Sequence, residues 1–275
     1  MFILSDADRF ILIGDHKQLP AVVLQSEKFC NVDDTSLNNI GIYDLRLSLF
    51  ERLFENCNKN KWDESYGTLE YHFRMHTEIA KLINHNYDNR LKSGKPEQMN
   101  TENIFSSLNT GTGKLLSKSR TIFIPINQLT DESAGSVEAE HILNILLDIE
   151  KSGLEINDDL IGIITPWRKQ INRLTKKLSK LSFFDKIQID TIERFQGSEK
   201  DIVFFSLSVY NTQQLKNFQS LTLDNSTDRK LNVAISRARH NLIIFGNENI
   251  LEKSSFYKSL INDINVLNGY LKFIP

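Results

Sequence analysis

The sequence has few cysteines and no long apolar run. Its 275 residues include two cysteines, Cys30 and Cys57, and both lie near apolar residues. Such thiols fit reduced, buried side chains in a reducing compartment such as the cytoplasm better than they fit a disulfide framework. No apolar run approaches the roughly 20 residues of a membrane span, and no basic segment leads into an apolar stretch with a cleavage site. The sequence therefore predicts a cytoplasmic protein with no membrane segment and no signal peptide.

An excess of charge of one sign is also missing. The chain has 33 Lys and Arg residues against 35 Asp and Glu residues, which gives a formal net charge of −2. Bulk charge therefore does not indicate a nucleic-acid-binding protein, and any such binding must come from a local basic groove. The hydrophobic content of 40% favours a folded chain, and the length suits one large α/β domain or one and a half smaller ones.

Residues 187–206 read IQIDTIERFQGSEKDIVFFS and contain the densest group of polar candidates. The apolar residues at 187–190 and 202–205 predict two short strands, the second with the pattern of a buried parallel strand. Because α/β scaffolds hold the loops at the carboxyl edge of the sheet rigidly, the loop between these strands is a candidate site, although an ordinary acidic connection fits as well. Its residues of interest are Asp190, Thr191, Glu193, Arg194, Gln196, Gly197, Glu199 and Asp201.

Residues 10–13 predict a strand that runs into the sequence GDHKQLP at residues 14–20. A strand followed by Gly-Asp places polar side chains, including that of Gln18, where α/β sheets bind ligands; a plain turn stopped by a proline is the alternative. One strand cannot form a sheet, so its apolar side chains and those of Val22 and Val23 need neighbours that this sequence does not supply. We therefore expect the sequence to begin inside a domain whose front half is missing.

Residues 69–76, LEYHFRMH, predict the end of a strand that passes into a helix. His72 and His76 have the spacing of a metal-binding pair, but no third ligand stands nearby, so the sequence favours structural histidines over zinc ligands. Arg74 is either a surface salt-bridge residue or a site residue. Upstream, Ser48 and Glu51 form a capping box that predicts the start of another helix.

Residues 92–120 are polar and predict an excursion over the surface. The sequence GTGK at residues 111–114 resembles part of a phosphate loop. That motif, however, needs the pattern GxxxxGK followed by Ser or Thr, whereas Leu115 follows the lysine here and Leu108 occupies the place of the first glycine. The sequence therefore does not predict a phosphate loop at this position.

From residue 121 onwards, the patterns of strands and helices alternate. Strands are predicted at residues 122–124, 160–164 and 242–245, and helices at residues 137–150, 165–181 and 230–239. This alternation, with polar loops at the carboxyl ends of nearly all strands, predicts an α/β fold with a doubly wound parallel sheet.

Two of these helices carry further candidate residues. Thr165 is predicted to cap the helix over residues 165–181, with Pro166 at its first position, so that free amides, a hydroxyl and Arg168 suit a backbone phosphate; the alternative is that Thr165 only caps its own helix. Arg237 and Arg239 are predicted on the last helix, about 200° apart around its axis, and so are not expected to share one small target. Six cations make the helix over residues 165–181 strongly basic, a pattern that is also typical of a solvated face: Arg168, Lys169, Arg173, Lys176, Lys177 and Lys180.

Taken together, five stretches resemble, in family order, the motifs of the superfamily 1 helicases of the 5′-to-3′ branch. They are GDHKQLPAVV, YHFRMH, IGIITPWRKQ, DTIERFQGSEKDIVFFSLS and LNVAISRAR, and they span nearly the whole chain. The resemblance is to the C-terminal portion of these helicases and implies a RecA-like fold of the P-loop NTPase type. Residues 1–60 would be the tail of a first RecA-like domain, and residues 61–275 would be a complete second one.

The resemblance implies a role for each matched residue. Gln18 would sense the γ-phosphate of a nucleotide, and Arg74 and Arg237 would be arginine fingers that stabilise charge during phosphoryl transfer. Glu199 would accept a hydrogen bond from the ribose, with Gly197 allowing the backbone to approach closely. The residues implied for contact with the phosphates of single-stranded DNA or RNA are Thr165, Pro166, Arg168 and Thr191.

The sequence also departs from the family. It lacks the phosphate loop and the DExxQ stretch, so ATP and Mg²⁺ would be bound mainly by a missing first RecA-like domain, upstream in cis or supplied in trans. The chain alone is then expected to be inactive as an ATP-dependent helicase. The alternative is a stand-alone, non-catalytic RecA-like module that binds nucleic acid or completes a partner's site. Smaller departures are His72, Phe73 and Trp167, which replace glutamine, tyrosine and tyrosine, and Tyr210, near which the family often has an arginine.

Overall fold

The computed structural model describes residues 8–100, 102–127 and 130–272. The chain divides into two compact units, Met1–Leu69 and Glu70–Pro275. The division falls after residue 69, whereas the sequence suggested residue 60. No helix within the described ranges is long and apolar enough to cross a membrane.

In the first unit, the described residues form two α-helices, α1 (Thr35–Asn39) and α2 (Leu49–Asn60), and the 3₁₀ turns Glu27–Phe29 and Asp63–Ser65. Helix α2 begins where the capping box predicts, because the backbone N–H of Glu51 donates to Ser48 Oγ over 3.1 Å. It ends where Lys61 turns into the left-handed conformation with φ of 56°.

The predicted strand over residues 10–13 is wrong, since these residues form no strand. The side chain of Ile11 is 89% exposed and that of Ile13 is 85% exposed. A strand is stabilised by a hydrogen-bonded neighbour, and no strand pairs with this segment in the part of the chain that the structure describes. The GDHKQLP sequence that follows forms a turn, in which the Gln18 N–H donates to the Asp15 carbonyl over 3.2 Å and Gln18 Nε2 donates to Asp15 Oδ2 over 2.8 Å.

The second unit is built around a parallel sheet of five strands, and a separate short pair precedes this sheet. The strands in chain order are β1 (Tyr71–His72), β2 (Lys92–Ser93), β3 (Thr121–Pro125), β4 (Ile161–Ile164), β5 (Gln188–Asp190), β6 (Lys200–Ser206) and β7 (Ala238–Gly246). Strands β1 and β2 pair with each other, and the large sheet has the spatial order β3-β7-β6-β4-β5 with every pair parallel.

Helices connect these strands. They are α3 (Thr77–Asn84), α4 (Gly111–Leu116), α5 (Asp131–Ser152), α6 (Arg168–Leu178), α7 (Ile192–Phe195), α8 (Thr212–Phe218), α9 (Arg229–Ile235), α10 (Glu248–Leu251) and α11 (Ser255–Val266). The 3₁₀ helices are His85–Tyr87, Pro96–Met99, Ile104–Ser107 and Phe184–Lys186.

Side chains alternate between the two faces of the large sheet and build a core on each. On one face, Ile122 and Ile124 join the apolar cluster formed with α5 and α6. On the other, Phe123 packs against Tyr270, with ring centroids 5.9 Å apart. Parallel strands covered on both faces confirm the predicted α/β fold with a doubly wound parallel sheet of the RecA-like type.

The prediction of a surface excursion over residues 92–120 is wrong. Phe105 and Leu116 have no exposed surface and belong to the core that packs on the sheet. The GTGK residues open α4, where the backbone N–H of Gly113 donates to Thr110 Oγ1 over 2.9 Å. The buried apolar residues of this segment are too widely spaced among polar ones to form a periodic pattern, so the sequence does not indicate them.

Candidate functional site: an arginine cluster around Glu199

Glu199 lies between two arginines at the amino ends of β6 and β7. Arg74 Nε donates to Glu199 Oε2, and Arg239 Nη1 lies 3.5 Å from Glu199 Oε1. Arg239 Nε also donates to Asp201 Oδ1 over 2.7 Å. The strand register pairs Lys200 with Ala238, so the segments that carry these groups start side by side.

The two predicted arginine fingers converge on Ser236. Arg74 Nη1 donates to the carbonyl oxygen of Ser236 over 3.2 Å, and Arg237 Nη2 donates to Ser236 Oγ over 2.8 Å. The fold therefore brings together two guanidinium groups that are far apart in the chain.

The two guanidinium groups differ in their access to solvent. The side chain of Arg74 is 30% exposed, whereas Arg237 is 2% exposed. Arg237 Nε donates to the Val233 carbonyl over 3.1 Å, and Nη1 donates to the Ser198 carbonyl over 3.4 Å. Arg74 is therefore open to a ligand in this arrangement, while Arg237 mainly braces the backbone around it.

The predicted separation of Arg237 and Arg239 is wrong. Helix α9 ends at Ile235, and Ala238 already begins β7, so neither arginine is helical. Arg237 lies in the turn between α9 and β7. Both arginines reach the short segment at residues 198–201, Arg237 at the Ser198 carbonyl and Arg239 at Glu199 and Asp201.

The charges of the cluster keep Glu199 ionised. Burial by itself would raise the pKa of Glu199, but the hydrogen bond from Arg74 and the positive charges of Arg74, Arg239 and Arg237 outweigh it, so the pKa is lowered. The guanidinium groups of Arg74, Arg237 and Arg239 outnumber the carboxylates of Glu199 and Asp201 by one, which leaves the cluster positive.

Glu199 lies at the opposite edge of the sheet from the predicted strand-binding residues. Thr165 follows β4 and Thr191 follows β5, and these two strand ends are neighbours because Ile164 pairs with Asp190. The segment after Thr191 runs back through α7 to the amino end of β6. The polar loop of residues 191–199 therefore belongs to both edges, and the expectation that all of it lies at the carboxyl edge is wrong.

Gly197 sits in this loop with φ of +92°, and no atom lies within 4 Å of the place where a Cβ would stand. A residue with a Cβ rarely adopts this backbone conformation. Glycine is therefore favoured at this position by its backbone dihedral angle and not by a lack of space for a side chain.

The turn after β4 differs in detail from the prediction. Helix α6 begins at Arg168 with Trp167 as its N-cap, two residues later than expected, because the backbone N–H groups of Gln170 and Ile171 donate to the Trp167 carbonyl over 2.9 and 3.1 Å. Thr165 has no exposed surface, and its hydroxyl accepts from the Trp167 N–H over 3.5 Å.

Direct contact between the Thr165 side chain and a phosphate is therefore not available in this arrangement. Of the other residues predicted to bind a nucleic-acid strand, Arg168 is exposed, while Pro166 and Thr191 are half-buried.

The two histidines near Arg74 make hydrogen bonds within the protein. His72 Nδ1 lies 2.9 Å from Gln98 Nε2, and His76 accepts from the Glu78 N–H over 3.2 Å while its other ring nitrogen lies 2.9 Å from the Asn100 carbonyl. In the described ranges, no group of three or more His, Cys, Asp or Glu residues could hold a metal ion.

Phe73 is a surface residue that the sequence reasoning did not select. Its side chain is 59% exposed, and the Lys95 ammonium lies 5.9 Å from the ring centroid. The ring lies against Gly94, where an added Cβ would come within 2.3 Å of it. An aromatic residue directly before Arg74 at the end of a strand was the signal available in the sequence.

The sequence profile of the AAA domain family matches residues 45–249, which is most of the chain. The chain belongs to the AAA domain family. This family match and the named relatives below confirm the resemblance to the C-terminal portion of the superfamily 1 helicases, so that this AAA domain is a helicase domain.

Several curated helicases and a regulator of nonsense transcripts are similar to this AAA domain. Helicase sen1 of Schizosaccharomyces pombe is 29% identical over 94% of this chain and 14% of its own length. The DNA replication ATP-dependent helicase/nuclease DNA2 of Gallus gallus is 30% identical over 86% of this chain and 20% of its own length. The regulator of nonsense transcripts 1 homolog of Drosophila melanogaster is 29% identical over 93% of this chain and 20% of its own length. The chain thus spans a fifth or less of each of these three relatives.

The AAA domain also contains a buried titratable group, the carboxyl of Glu138 in α5. It is 1% exposed, and burial raises its pKa from the ordinary value of 4.5 to about 8, although hydrogen bonds from Ser206 and Ser208 and the charge of Arg173 oppose the rise. The folded protein therefore holds a proton on Glu138 at pH values at which the unfolded chain has released it.

This shift predicts that the free energy of unfolding falls as the pH rises from about 4.5 to about 8. The native state binds the extra proton in that window, so the stabilisation is complete below pH 4.5 and is lost as the pH rises through 8. Glutamine cannot titrate in this range. The free energy of unfolding of Glu138→Gln should therefore lack this dependence on pH, whose slope is up to about 1.4 kcal/mol per pH unit.

Urea denaturation at pH 5, 6, 7 and 8 measures this effect. The control is Glu140→Gln on the same helix, where the side chain is 49% exposed, and it should keep the wild-type slope. Parallel pH profiles for wild type and Glu138→Gln would show that the carboxyl does not titrate in this window.

Proposed function

We propose that this AAA domain is the C-terminal half of the motor of an ATP-dependent nucleic-acid helicase or translocase. In this role, Arg74 reaches the phosphates of an ATP molecule that is bound mainly by a partner RecA-like domain. The observation that carries the proposal is the convergence of Arg74 and Arg237 on Ser236, beside the ion pair of Arg74 with Glu199.

The cluster has the chemistry that a nucleotide phosphate requires. A guanidinium group is planar and always charged, and it binds carboxylate and phosphate oxygens with the same geometry. The Glu199 carboxylate therefore occupies a place on Arg74 that an anionic phosphate oxygen also suits. Once Arg74 turns to the nucleotide, Glu199 is released to accept a hydrogen bond from the ribose. Arg237 then supports the site from behind, with its charge close to Glu199.

The exposed ring of Phe73 extends the same surface. It adjoins Arg74 in sequence, and the ring lies against Gly94. Aromatic rings at the surface stack well with the flat faces of bases. We infer that Phe73 is a platform for the base of the nucleotide whose phosphates Arg74 contacts.

The rest of the ATP site is proposed to lie on a partner RecA-like domain, joined in cis or supplied in trans. That partner would contribute the GxxxxGK[ST] loop and the ligands of Mg²⁺, and Gln18 would sense the γ-phosphate there. Apolar side chains of the first unit support such a partner, because Ile11, Val22 and Leu24 are 89%, 83% and 95% exposed. Large apolar side chains grouped at a surface mark a contact site.

The proposed track for single-stranded DNA or RNA runs over the carboxyl ends of β4 and β5. Arg168, Pro166 and Thr191 offer a guanidinium group, an apolar surface and a hydroxyl, and Thr165 supports the turn that presents them. Contacts of this kind go to the sugar-phosphate backbone, so they bind a strand without reading its sequence.

ATP hydrolysis in a protein that combines this AAA domain with a RecA-like domain carrying a GxxxxGK[ST] loop tests the proposal. We expect hydrolysis that rises when a single-stranded oligonucleotide is added, and none above background from the AAA domain alone. The control replaces the lysine of that loop by alanine, which should abolish hydrolysis and leave oligonucleotide binding in place.

Binding of the oligonucleotide is measured separately by fluorescence anisotropy between 50 and 200 mM salt. The logarithm of the binding constant should fall linearly with that of the salt concentration, by about 0.7 for each phosphate that is neutralised. An ATPase that neither DNA nor RNA stimulates, or binding that is indifferent to salt, would contradict the proposed function.

A further inference from the structure

The carboxyl end of β6 is tied to α5 through Glu138. Ser206 Oγ donates to Glu138 Oε2 over 2.5 Å, and the backbone N–H of Ser208 donates to Oε1 over 2.9 Å. Ser208 has φ of +46°, a left-handed conformation that serine adopts rarely. Glu138 therefore holds the chain just after β6 in an unusual path.

The same segment is tied to the start of α6. Gln170 Nε2 donates to Ser206 Oγ over 3.0 Å and to the Gly135 carbonyl over 2.9 Å. Trp167 Nε1 donates to the carbonyl oxygen of Leu207 over 2.9 Å. Leu207 thus lies between two residues that Glu138 holds, and its carbonyl fixes the indole of Trp167.

Helices α5 and α6 approach closely beside this group. An added Cβ on Gly135 would lie 2.1 Å from Arg173 Nη1 and 2.4 Å from Gln170 Oε1. A Cβ at this position would push the ends of both side chains aside, so glycine leaves Gln170 in place to share the Ser206 hydroxyl with Glu138. The arrangement joins α5, α6 and the end of β6 into one hydrogen-bonded unit.

We propose that Glu138 is a positioning residue for nucleic-acid binding. It fixes residues 206–208, the Leu207 carbonyl fixes Trp167, and Trp167 fixes the turn that presents Pro166 and Arg168 to a single strand. The inference rests on the proposed function, because it concerns the same strand-binding turn. Glu138 itself is 1% exposed, so it would act through these residues and not by contact with the strand.

Trp167 makes the structural part of this inference measurable without nucleic acid. The chain has two tryptophans, and Trp62→Phe leaves Trp167 as the only indole. In this background, Glu138→Ala is expected to shift the Trp167 emission to the red, because the indole loses its fixed partner and becomes wetter. Glu138→Gln can still accept from the Ser208 N–H and should restore the wild-type emission.

The functional part is measured as the Kd for a fluorescent single-stranded oligonucleotide at 50 mM salt. Glu138→Ala is expected to weaken binding about tenfold, the equivalent of one lost contact of ordinary strength, with Glu138→Gln near wild type. The control is Glu155→Ala, the same truncation at an exposed position just after α5, which should leave both readings unchanged.

If Glu138→Ala does not fold, Glu138→Asp replaces it, because the shorter side chain draws the carboxylate away from the Ser208 N–H. Unchanged Trp167 emission in a folded variant would overturn the inference, and so would a red shift with an unchanged Kd. Wild-type protein that binds no oligonucleotide would refute the proposed function, whatever the emission of Trp167 does.

Discussion

Arg74→Ala is expected to lower the kcat of ATP hydrolysis by about 10³-fold or more in the protein that contains the complete nucleotide site. Arg74 combines partial exposure with a bond to an exchangeable carboxylate, and it lies directly after the exposed ring of Phe73. Its charge would act mainly on the transition state, so kcat should fall much more than the KM for ATP rises. Steady-state kinetics with saturating oligonucleotide measure both constants.

Two comparison variants sharpen this experiment. Arg90→Ala removes an exposed arginine of the same unit, one that pairs with Asp88 over 3.0 Å, and should leave kcat unchanged. Arg74→Lys keeps the charge but not the fork of donors, and should recover only a small part of the lost rate. Equal kcat values for wild type and Arg74→Ala would remove Arg74 from the proposed site.

Arg237→Ala is expected to destabilise the protein as well as to slow hydrolysis. The guanidinium group donates to the Val233 and Ser198 carbonyls and to the Ser236 hydroxyl, and the residue is 2% exposed. Removal takes one donor from each of these oxygens, at a cost of about 3 kcal/mol in total. In a unit of this size, that corresponds to a fall in Tm of about 6 to 12 °C.

Thermal unfolding followed by circular dichroism checks this expectation in the isolated chain. Arg237→Lys should give an intermediate Tm, because an ammonium group can satisfy only some of the three oxygens. An Arg237→Ala variant that melts with the wild type, yet loses ATP hydrolysis, would show that this arginine leaves its backbone partners and acts on the nucleotide directly.

Local chemistry made much of the fold predictable. Ser48 caps α2 because a hydroxyl at that position meets the Glu51 N–H within the same turn, whatever the rest of the chain does. Strands such as β6 were found because runs of β-branched and aromatic residues suit a sheet that is buried on both faces. The start of α6 was misplaced because Thr165 and Pro166 have a capping signature, whereas the N-cap, Trp167, makes no side-chain cap.

The candidate site was predictable in its members but not in their arrangement. The motifs named Arg74 and Glu199, which lie 125 positions apart in the chain and form an ion pair. The burial of Arg237 depends on carbonyl groups contributed by α9 and the segment before β6, and no pattern in the sequence specifies these partners. The burial of Glu138 is not predictable either, because an acidic residue in an amphipathic helix is ordinarily exposed.

The loop from Thr191 to Glu199 spans the sheet from one edge to the other, and α7 stiffens it. Ile192 and Phe195 of α7 have no exposed surface, and Lys230 lies 3.1 Å from Glu193. If the loop is stiff, a shift at one of its ends is passed on to the other end. In the proposed helicase, a ligand that draws Glu199 away from Arg74 would either shift Thr191 at the other end of the loop or bend the loop at Gly197, and the second outcome would uncouple ATP hydrolysis from movement along nucleic acid.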